Sequence, residues 1–392
     1  MKTSTRCVQL GRGHDAYGAM VPPIYQTATF EQLNATEFGE YDYTRSGNPT
    51  RTLLEQQLAD LEEASYASCF ASGMAALTAL TRVVKAGEEI IAGDDLYGGT
   101  VRLLDRIASH QNISVRYVDT TDVDEFRKAV TDRTRLVLIE TPSNPLFRIS
   151  DISELASIAR EAGAYLAVDN SMLSPIFQRP LTLGADIVVH SATKFLCGHS
   201  DVTAGALITN DPTLHKQLSF QQNAEGAGLS PFESWLLLRG LKTLALRVER
   251  QNASAEKVAR FLQSRPEVLK VFYPGLRDHP GREIHRKQSD GNGAVVSFTT
   301  GDDKLSAEIV ESTRLFRVAV SFGSVGSTIS LPCRMSHASI PSALRDRLAP
   351  PPDLIRLSVG IEDPGDLLED LEHTLALSSG QKQLEEAYNT RP

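Results

Sequence analysis

Cysteine is scarce in this chain of 392 residues, and its spacing excludes two common kinds of site. The four cysteines, which lie far apart and form no CxxC pair, are Cys7, Cys69, Cys197 and Cys333. We therefore expect neither a disulfide framework nor a zinc site. The nine histidines include no pair at HxxxH spacing, which argues against a metal enzyme. Free cysteines in a chain of this size favour the reducing cytoplasm.

Long apolar runs and an excess of positive charge are also missing. Nowhere do about 18 consecutive apolar residues occur, and no apolar segment follows the basic residues near the N-terminus. Neither a membrane span nor a secretory signal is expected. Forty basic and 49 acidic residues give a net charge of −9, which argues against nucleic acid or an anionic membrane as the main partner.

The chain divides into three regions by its hydrophobic pattern. Residues 1–50 have no sustained helical period and are rich in Gly, Pro, Thr and aromatic residues, which predicts an extended arm lying on a neighbouring subunit. Leucines recur at helical spacing from residue 50 onward. We expect a large domain over residues 51–250 and a smaller C-terminal α/β domain over residues 251–392.

Short apolar segments alternate with helical patterns in the large domain. A helix with a capping-box start at Asp151 and a stop at Gly163 separates the third segment from the fourth. The predicted strands cover residues 89–93, 114–119, 135–140, 164–169 and 186–190. This alternation is typical of an α/β fold with a mostly parallel sheet covered by helices on both faces. Residues 293–300, 317–323 and 354–362 are predicted as strands of the C-terminal domain.

A lysine follows the last strand of the large domain. The segment "DIVVHSATKF" at 186–195 takes Lys194 past the carboxyl edge of the sheet, where open α/β sheets bind ligands. Asp169 ends the strand at 164–169, so both side chains are expected at one edge. Alone, Lys194 could be a solvated loop residue and Asp169 a helix cap. Together they match the lysine and acidic group that proteins supply to pyridoxal phosphate (PLP).

Three further segments could hold a flat phosphorylated cofactor. Gly73 opens a helix whose N–H groups favour an anion, although a plain helix cap would look the same. Tyr97 follows a strand, where its ring could stack on a cofactor or fill the core. Tyr43 and Arg45 lie in the arm, where they could form a surface turn or reach a phosphate in a partner subunit.

The segments "SATKFLCGHSD", "ETPSNP", "VDN" and "LLLRGLKT" resemble, in order and spacing, the trans-sulfuration or Cys/Met metabolism family of PLP-dependent enzymes. The resemblance extends from residue 22 to residue 362. It implies the type I, aspartate aminotransferase-like fold of PLP-dependent transferases and pyridoxal 5′-phosphate as cofactor. It also implies a homotetramer made of two dimers, in which each active site is shared between two subunits.

The resemblance also implies a role for each matching residue. Lys194 would hold the cofactor as a Schiff base and then move protons, Asp169 would keep the pyridine nitrogen protonated, and Tyr97 would stack on the ring. The phosphate would be bound within the subunit by Gly73, Met74, Ser191 and Thr193, and from the neighbouring subunit by Tyr43 and Arg45. The substrate carboxylate would be bound by Arg356, assisted by Asn144 and Ser321.

The implied reaction is cleavage of a carbon–sulfur bond of cystathionine, or of a related cysteine thioether, by β- or γ-elimination. The sequence looks most similar to the bacterial cystathionine β- and γ-lyase branch. Two alternatives stay open: γ-replacement of the cystathionine γ-synthase or homoserine sulfhydrylase type, and a PLP-fold module without turnover. Gly99 stands where methionine γ-lyases carry a cysteine. Ser327 is expected where many family members place a glutamate near the substrate's distal end.

Overall fold

The computed structural model describes residues 1–9, 15–108, 110–338, 340 and 344–389. These residues form two β-sheets with helices packed against them. In the part of the chain that is described, no helix is both long enough and apolar enough to cross a membrane.

The first sheet has seven strands in the order β1-β7-β6-β5-β4-β2-β3. The strands are β1 (Tyr66–Phe70), β2 (Glu89–Gly93), β3 (Ser114–Val118), β4 (Thr134–Glu140), β5 (Tyr165–Asp169), β6 (Ile187–His190) and β7 (Gly205–Thr209). Strands β2 to β6 pair in parallel, whereas β7 is antiparallel to both β1 and β6. The predicted α/β fold with a mostly parallel sheet is therefore confirmed. The sequence analysis did not identify β1 and β7.

Helices surround this sheet and lead from it to the second sheet. They are α1 (Thr3–Val8), α2 (Pro49–Leu61), α3 (Gly73–Thr81), α4 (Gly98–Leu103), α5 (Val123–Ala129), α6 (Ile152–Glu161), α7 (Ser174–Phe177), α8 (Pro212–Ala224), α9 (Pro231–Leu241) and α10 (Leu244–Gln263). Shorter turns of π and 3₁₀ helix cover Leu104–Ala108, Pro180–Leu183 and Pro332–Arg334. Asp151 caps α6 by accepting hydrogen bonds from the N–H groups of Ser153 and Glu154, as its spacing predicted.

The second sheet has five strands in the order β10-β11-β12-β9-β8. They are β8 (Lys270–Phe272), β9 (Val295–Thr299), β10 (Arg317–Val318), β11 (Thr328–Ser330) and β12 (Leu354–Ser358), accompanied by α11 (Arg282–Gln288), α12 (Asp303–Ser312), α13 (Arg345–Leu348) and α14 (Pro364–Asn389). The strand predicted over residues 317–323 is much shorter than expected. β10 ends at Val318, and Ser321 beyond it has a φ of 83°, in the left-handed region outside the usual range of strands.

The start of the chain departs from the predicted extended arm. Residues 3–8 form helix α1, which packs against α2 and α10 and buries Cys7. The rest of the arm has little regular structure, with a single β-bridge between Thr29 and Tyr43. Several of its large apolar side chains are exposed, namely Tyr17, Met20, Val21, Leu33 and Phe38. The described part of the arm therefore lacks a core of its own.

One hydrophobic core joins the two sheets. It runs from Leu54 on α2 through Val188 on β6 and Leu238 on α9 to Val296 and Leu357 in the second sheet. The carboxyl ends of β4, β5 and β6 lie side by side above this core. The residues that end these strands are consequently held against the second sheet.

A glycine in β7 allows α3 to begin where it does. A Cβ atom at Gly205 would overlap the carbonyl oxygen of Ser72 and lie 2.8 Å from the Cα of Gly73. We expect Gly205→Ala to displace the first turn of α3 and destabilise the protein by about 1 to 3 kcal/mol, the usual cost of overpacking. The midpoint of thermal unfolding should fall accordingly.

Gly93→Ala in β2 is the matched control for this substitution. The nearest atom to its new Cβ would be Thr120 Oγ1 at 3.5 Å, an ordinary contact. The control should unfold close to the wild-type temperature. Equal unfolding temperatures for the two variants would contradict the proposed close packing of β7 against α3.

Candidate active site

A cavity of about 440 Å³ lies between the carboxyl edge of the first sheet and the second sheet. Its lining brings together ten residues predicted from the sequence: Gly73, Met74, Tyr97, Asn144, Asp169, Ser191, Thr193, Lys194, Ser321 and Arg356. The first and last of these residues, Gly73 and Arg356, are nearly 300 positions apart in the chain. The fold therefore assembles one site from the elements that the motifs occupy.

Lys194 lies in the turn after β6 and reaches across to the second sheet. Its Nζ donates a hydrogen bond to Ser321 Oγ at 2.5 Å and lies 4.8 Å from the centre of the Phe322 ring. Burial, together with the positive charge of Arg356, lowers the pKa of Lys194 to about 8, while the charge of Asp169 opposes both effects. The amine is thus easier to deprotonate than an exposed lysine.

Asp169 and Glu140 are paired in register at the ends of β5 and β4. Burial is the main cause that raises the pKa of both carboxyl groups, and the charge of Asp169 raises the pKa of Glu140 further. Asp169 Oδ1 accepts a hydrogen bond from Ser171 N at 3.0 Å, which favours its ionised form, as do the charges of His190 and Lys194. Of the two groups, Asp169 has the environment better suited to an anion.

The sequence analysis missed Glu140, although the signal was available. Glu140 ends the segment "RLVLIE" as Asp169 ends "AYLAVD", and both line the cavity. Its Oε1 accepts a hydrogen bond from Tyr97 N at 2.8 Å. The carboxyl group therefore holds the start of α4, where Tyr97 lies.

Tyr97 presents a partly exposed ring to the cavity. Its side chain is 39% exposed, and its ring meets the ring of His337 edge-on with the centres 6.4 Å apart. This arrangement leaves a face of the aromatic ring accessible from the cavity.

The second sheet contributes a buried cation to the cavity. Arg356 on β12 is only 2% exposed. Its Nη1 donates to Asn144 Oδ1 at 2.8 Å and its Nη2 donates to the carbonyl oxygen of Ser321 at 2.9 Å. Burial lowers the pKa of Arg356 to about 10, so the guanidinium stays charged at neutral pH. Such a fixed guanidinium is suited to a carboxylate.

The N-terminus of α3 offers an anion-binding surface to the same cavity. The N–H groups of Gly73 and Met74 have no acceptor among the described residues, as expected for the first turn of a helix. A Cβ at Gly73 would lie 3.0 Å from Ser191 Oγ, so a larger residue would crowd this position. Thr193 Oγ1 accepts from Ala204 N at 2.9 Å, which fixes the hydroxyl group beside Lys194.

Tyr43 and Arg45 do not line the cavity of their own chain. The guanidinium of Arg45 lies 5.5 Å from the centre of the Tyr43 ring, and its Nη1 donates to the carbonyl oxygen of Asn223 at 3.1 Å. Both residues are exposed. Within a single chain the structure therefore keeps them apart from the other predicted residues.

Ser327 is not where the sequence analysis expected it. It is 1% exposed and absent from the described cavity lining, and its Oγ donates to Glu362 Oε2 at 2.9 Å. Its hydroxyl group also accepts from Gly360 N at 2.9 Å. These bonds hold Ser327 against Glu362 and Gly360, so its hydroxyl group is not among the described groups that line the cavity.

Arg102 is a second cation of the cavity that the sequence analysis missed. It lies on α4, one turn after Tyr97, and its side chain is exposed. No described residue forms an ion pair with it. No sequence pattern singled it out, because a lone arginine on a helix is ordinarily a solvated surface residue.

Comparison with known proteins explains this combination of residues. The family described as "Cys/Met metabolism PLP-dependent enzyme" matches residues 4–376. The chain belongs to this family. It is 53% identical to chloroplastic cystathionine beta-lyase of Arabidopsis thaliana over 94% of this chain and 80% of that protein. It is 44% identical to cystathionine gamma-lyase of Bacillus subtilis over 96% of this chain and 99% of that protein.

A solved structure supports the same relationship. Cystathionine gamma synthase of Xanthomonas oryzae pv. oryzae, crystallised with cystathionine, superposes with a TM-score of 0.94 at 39% identity. The superposition covers 97% of this chain and 99% of that one. The fold expected from the family resemblance is therefore confirmed.

The residues present in the cavity fit PLP, the cofactor of the family. Lys194 supplies a buried amine of lowered pKa, and Asp169 a carboxylate at the same sheet edge. The first turn of α3 supplies free N–H donors beside a glycine that leaves room. No group of three or more His, Cys, Asp or Glu side chains within the described ranges is arranged to hold a metal ion.

The lowered pKa of Lys194 can be measured directly in the apo-protein. Only a neutral amine reacts with acetic anhydride, so acetylation of Lys194, followed by mass spectrometry, should rise with pH and reach half its maximum near pH 8. In Arg356→Gln the midpoint should move upward, because removal of the positive neighbour stabilises the ammonium form. Arg260→Gln, which changes an exposed arginine, should leave it in place. A wild-type midpoint above about 10, the ordinary range of lysine, would contradict this account.

Proposed function

We propose that this chain is a PLP-dependent carbon–sulfur lyase that cleaves cystathionine by β-elimination. The observation that carries the proposal is that one cavity combines the amine of Lys194, the carboxylate of Asp169 and two guanidinium groups, those of Arg102 and Arg356. The first pair suits the cofactor of the family. The second pair suits a substrate with two carboxylates, and cystathionine is such a substrate.

Each cofactor-binding role falls to a residue of the cavity. Lys194 would hold PLP covalently, Asp169 would face its ring nitrogen and Tyr97 would lie against the ring. The phosphate would be bound by the N–H groups of Gly73 and Met74 and the hydroxyl groups of Ser191 and Thr193. When bound, PLP supplies an electron sink that stabilises negative charge on the substrate's α-carbon.

Arg356 would bind the carboxylate next to the reacting carbon. Asn144 Oδ1 and the carbonyl oxygen of Ser321 hold two of its nitrogens at 2.8 and 2.9 Å, so the direction of the guanidinium is fixed before substrate arrives. A fixed guanidinium loses little conformational freedom on binding. It thereby orients the α-hydrogen of the substrate towards one part of the cavity.

Lys194 would then move the proton from the α-carbon. Its amine can act as a base only when neutral, and burial together with Arg356 brings its pKa to about 8. Ser321 Oγ accepts a hydrogen bond from Nζ and directs it towards the second sheet. Removal of the α-proton allows the thiolate to leave from the β-carbon. Overall, cystathionine and water give homocysteine, pyruvate and ammonia.

Arg102 is the residue that selects for a dicarboxylic substrate. Its side chain lines the cavity from α4, whereas Arg356 enters from the second sheet. With no ion-pair partner among the described residues, Arg102 is available for a carboxylate of the substrate. We infer that it binds the carboxylate at the far end of cystathionine, beyond the sulfur.

Tyr43 and Arg45 would complete the site of a neighbouring subunit in a homotetramer built as a dimer of dimers. Arg51, which is buried on α2, fixes the backbone of this part of the arm by donating to the carbonyl oxygens of Thr44 and Arg45 at 2.9 and 3.1 Å. The arm is thus held in shape while its aromatic and cationic side chains stay exposed. An exposed guanidinium of this kind can supply the positive charge that the phosphate needs.

A reducing compartment such as the cytoplasm suits the enzyme. Its four cysteines are free, and three of them are buried. Burial raises the pKa of the Cys197 thiol to about 12, with Asp201 adding to the effect, so this residue near Lys194 stays in its thiol form. Such cysteines have no structural need of an oxidising environment.

The second candidate is reaction at the γ-carbon, by elimination or by replacement. The similarity to cystathionine gamma-lyase of Bacillus subtilis and to the gamma synthase structure favours keeping it. The same residues would act on the α-carbon in either case. Loss of a group from the γ-carbon requires a further proton to be removed from the β-carbon, and Lys194 is placed to do this as well.

The reaction is decided by incubating the PLP-loaded protein with L-cystathionine and identifying the products. We expect pyruvate and homocysteine in equal amounts. 2-Oxobutyrate with cysteine would instead assign γ-elimination. If neither keto acid forms, an activated homoserine supplied with cysteine tests replacement, and no reaction with either substrate would contradict the proposed lyase.

The two arginines should be separable by substrate. Arg102→Gln should raise KM for cystathionine at least about tenfold, since a hydrogen bond to a charged group contributes about 1.5 to 3 kcal/mol. The same variant should leave KM for S-methyl-L-cysteine, which has one carboxylate, within about twofold of wild type. Arg356→Gln should raise KM for both substrates. Equal effects of Arg102→Gln on the two would remove it from distal recognition.

A further inference from the structure

Glu62 and His190 form a buried pair outside the described cavity lining. His190 Nε2 and Glu62 Oε1 are 2.6 Å apart, and each side chain is 1% exposed. Asn170 Nδ2 also donates to Glu62 Oε1, at 3.1 Å, and to the carbonyl oxygen of Gln178 at 2.8 Å. The carboxylate is therefore held from two sides.

The pair joins three elements that define the site. Glu62 follows the last residue of α2, His190 is the last residue of β6, and Asn170 directly follows Asp169 at the end of β5. Asn170 N also donates to the carbonyl oxygen of Val189 at 2.9 Å. Contacts to Glu62 thus come from the residue after Asp169 and from the residue four positions before Lys194.

Stability alone gives little reason for such a pair. Burying two ionisable groups carries a desolvation cost that their attraction only partly offsets, so apolar residues of similar size would serve a core equally well. Other polar atoms near the pair add to this cost. Three buried atoms of this cluster have no hydrogen-bond partner among the described residues, namely Glu62 Oε2, His190 Nδ1 and Asn170 Oδ1. A polar cluster that costs stability behind a site points to a role in that site.

The pair also acts on the charge of Asp169. Burial raises the pKa of Asp169, and the hydrogen bonds from Ser171 and the positive charges of His190 and Lys194 lower it. Glu140 pairs with Asp169 on the other side. Of His190 and Lys194, His190 is the one held in place by a buried contact, its Nε2 lying 2.6 Å from Glu62 Oε1.

We propose that Glu62 and His190 are positioning residues for Asp169 and Lys194, holding the ends of β5 and β6 at one spacing and supporting the ionised form of Asp169. The inference rests on the proposed roles of Asp169 and Lys194 in cofactor binding. It assigns the pair no contact with substrate or cofactor. Its effect is transmitted through the backbone of residues 169–171 and 190–194.

Glu62→Gln tests the charge while keeping the shape and the hydrogen-bond acceptor. We expect the dissociation constant for PLP to rise about tenfold and the visible absorption maximum of the bound cofactor to shift at fixed pH. The turnover number with cystathionine should fall, while KM stays within about twofold, because Arg102 and Arg356 are untouched. Glu62→Asp, which keeps the charge, should restore the absorption maximum.

His285→Asn is the matched control. His285 lies on α11, outside the described cavity lining, and is also 1% exposed. Its Nε2 lies 2.9 Å from the carbonyl oxygen of Gly291 in the loop that follows this helix. It reports the effect of losing a buried histidine bond alone. If PLP affinity and absorption in Glu62→Gln match those of this control, the inference is wrong.

Two further measurements make the outcome decisive. If Glu62→Gln does not fold by circular dichroism, Asn170→Ser serves instead, because it removes the bonds of Asn170 Nδ2 to Glu62 and Gln178 but leaves the Glu62–His190 contact. This variant should still shift the absorption maximum, and an unshifted maximum overturns the inference. Borohydride reduction of wild type with peptide mapping places the cofactor. If PLP is found on Lys194 and Glu62→Gln keeps the wild-type PLP affinity and absorption maximum, only this inference is wrong. If no PLP is found on Lys194, the proposed function is wrong.

Discussion

The parallel pairing of β5 with β6 is the constraint on which the site depends. Asp169 is in register with Val189, so the carboxylate at the end of one strand faces the turn that carries Lys194 after the other. Neither strand alone would bring Asp169 and Lys194 together, because the end of one strand determines only where the segment after it begins. The adjacent pairing of β4 adds Glu140 to the same edge. Three ionisable groups therefore share one low-dielectric region, in which the charge of Asp169 affects the pKa of both Glu140 and Lys194.

Burial is the main cause of every large pKa shift at this edge, and it acts in opposite directions on acids and bases. It lowers the pKa of Lys194 and Arg356 and raises that of Asp169 and Glu140. Two carboxyl groups this close cannot both be ionised at low cost. Asp169 receives the stabilising contacts from Ser171, His190 and Lys194, so Glu140 is the member of the pair that takes the proton. The site thus obtains a single anion at a defined position without a metal ion.

Local pattern was enough to predict the parallel strands of the first sheet, but not β1 and β7. Asp169 could be found because it ends an apolar segment, and Lys194 because it lies in the turn after one. The rule that found Asp169 would also have found Glu140. Arg356 and Ser321 came from family resemblance, since only tertiary structure brings β12 to the first sheet. Ser327 is held by its bonds to Glu362 and Gly360, contacts that appear only in the folded chain. The proposed role of Tyr43 and Arg45 needs a second chain, whose placement no pattern within one chain describes.

Under the proposed function, the chemistry at the α-carbon and the choice of substrate fall to different parts of the fold. Lys194 and Asp169 would act at the reacting end, and their geometry is set by the first sheet. Arg102 lies on α4, which begins at Tyr97 and is held to the first sheet through the hydrogen bond from Tyr97 to Glu140. A change on α4 can therefore alter substrate recognition without moving the amine or the carboxylate. The relatives of this chain include both lyases and a synthase, so one scaffold supports more than one reaction.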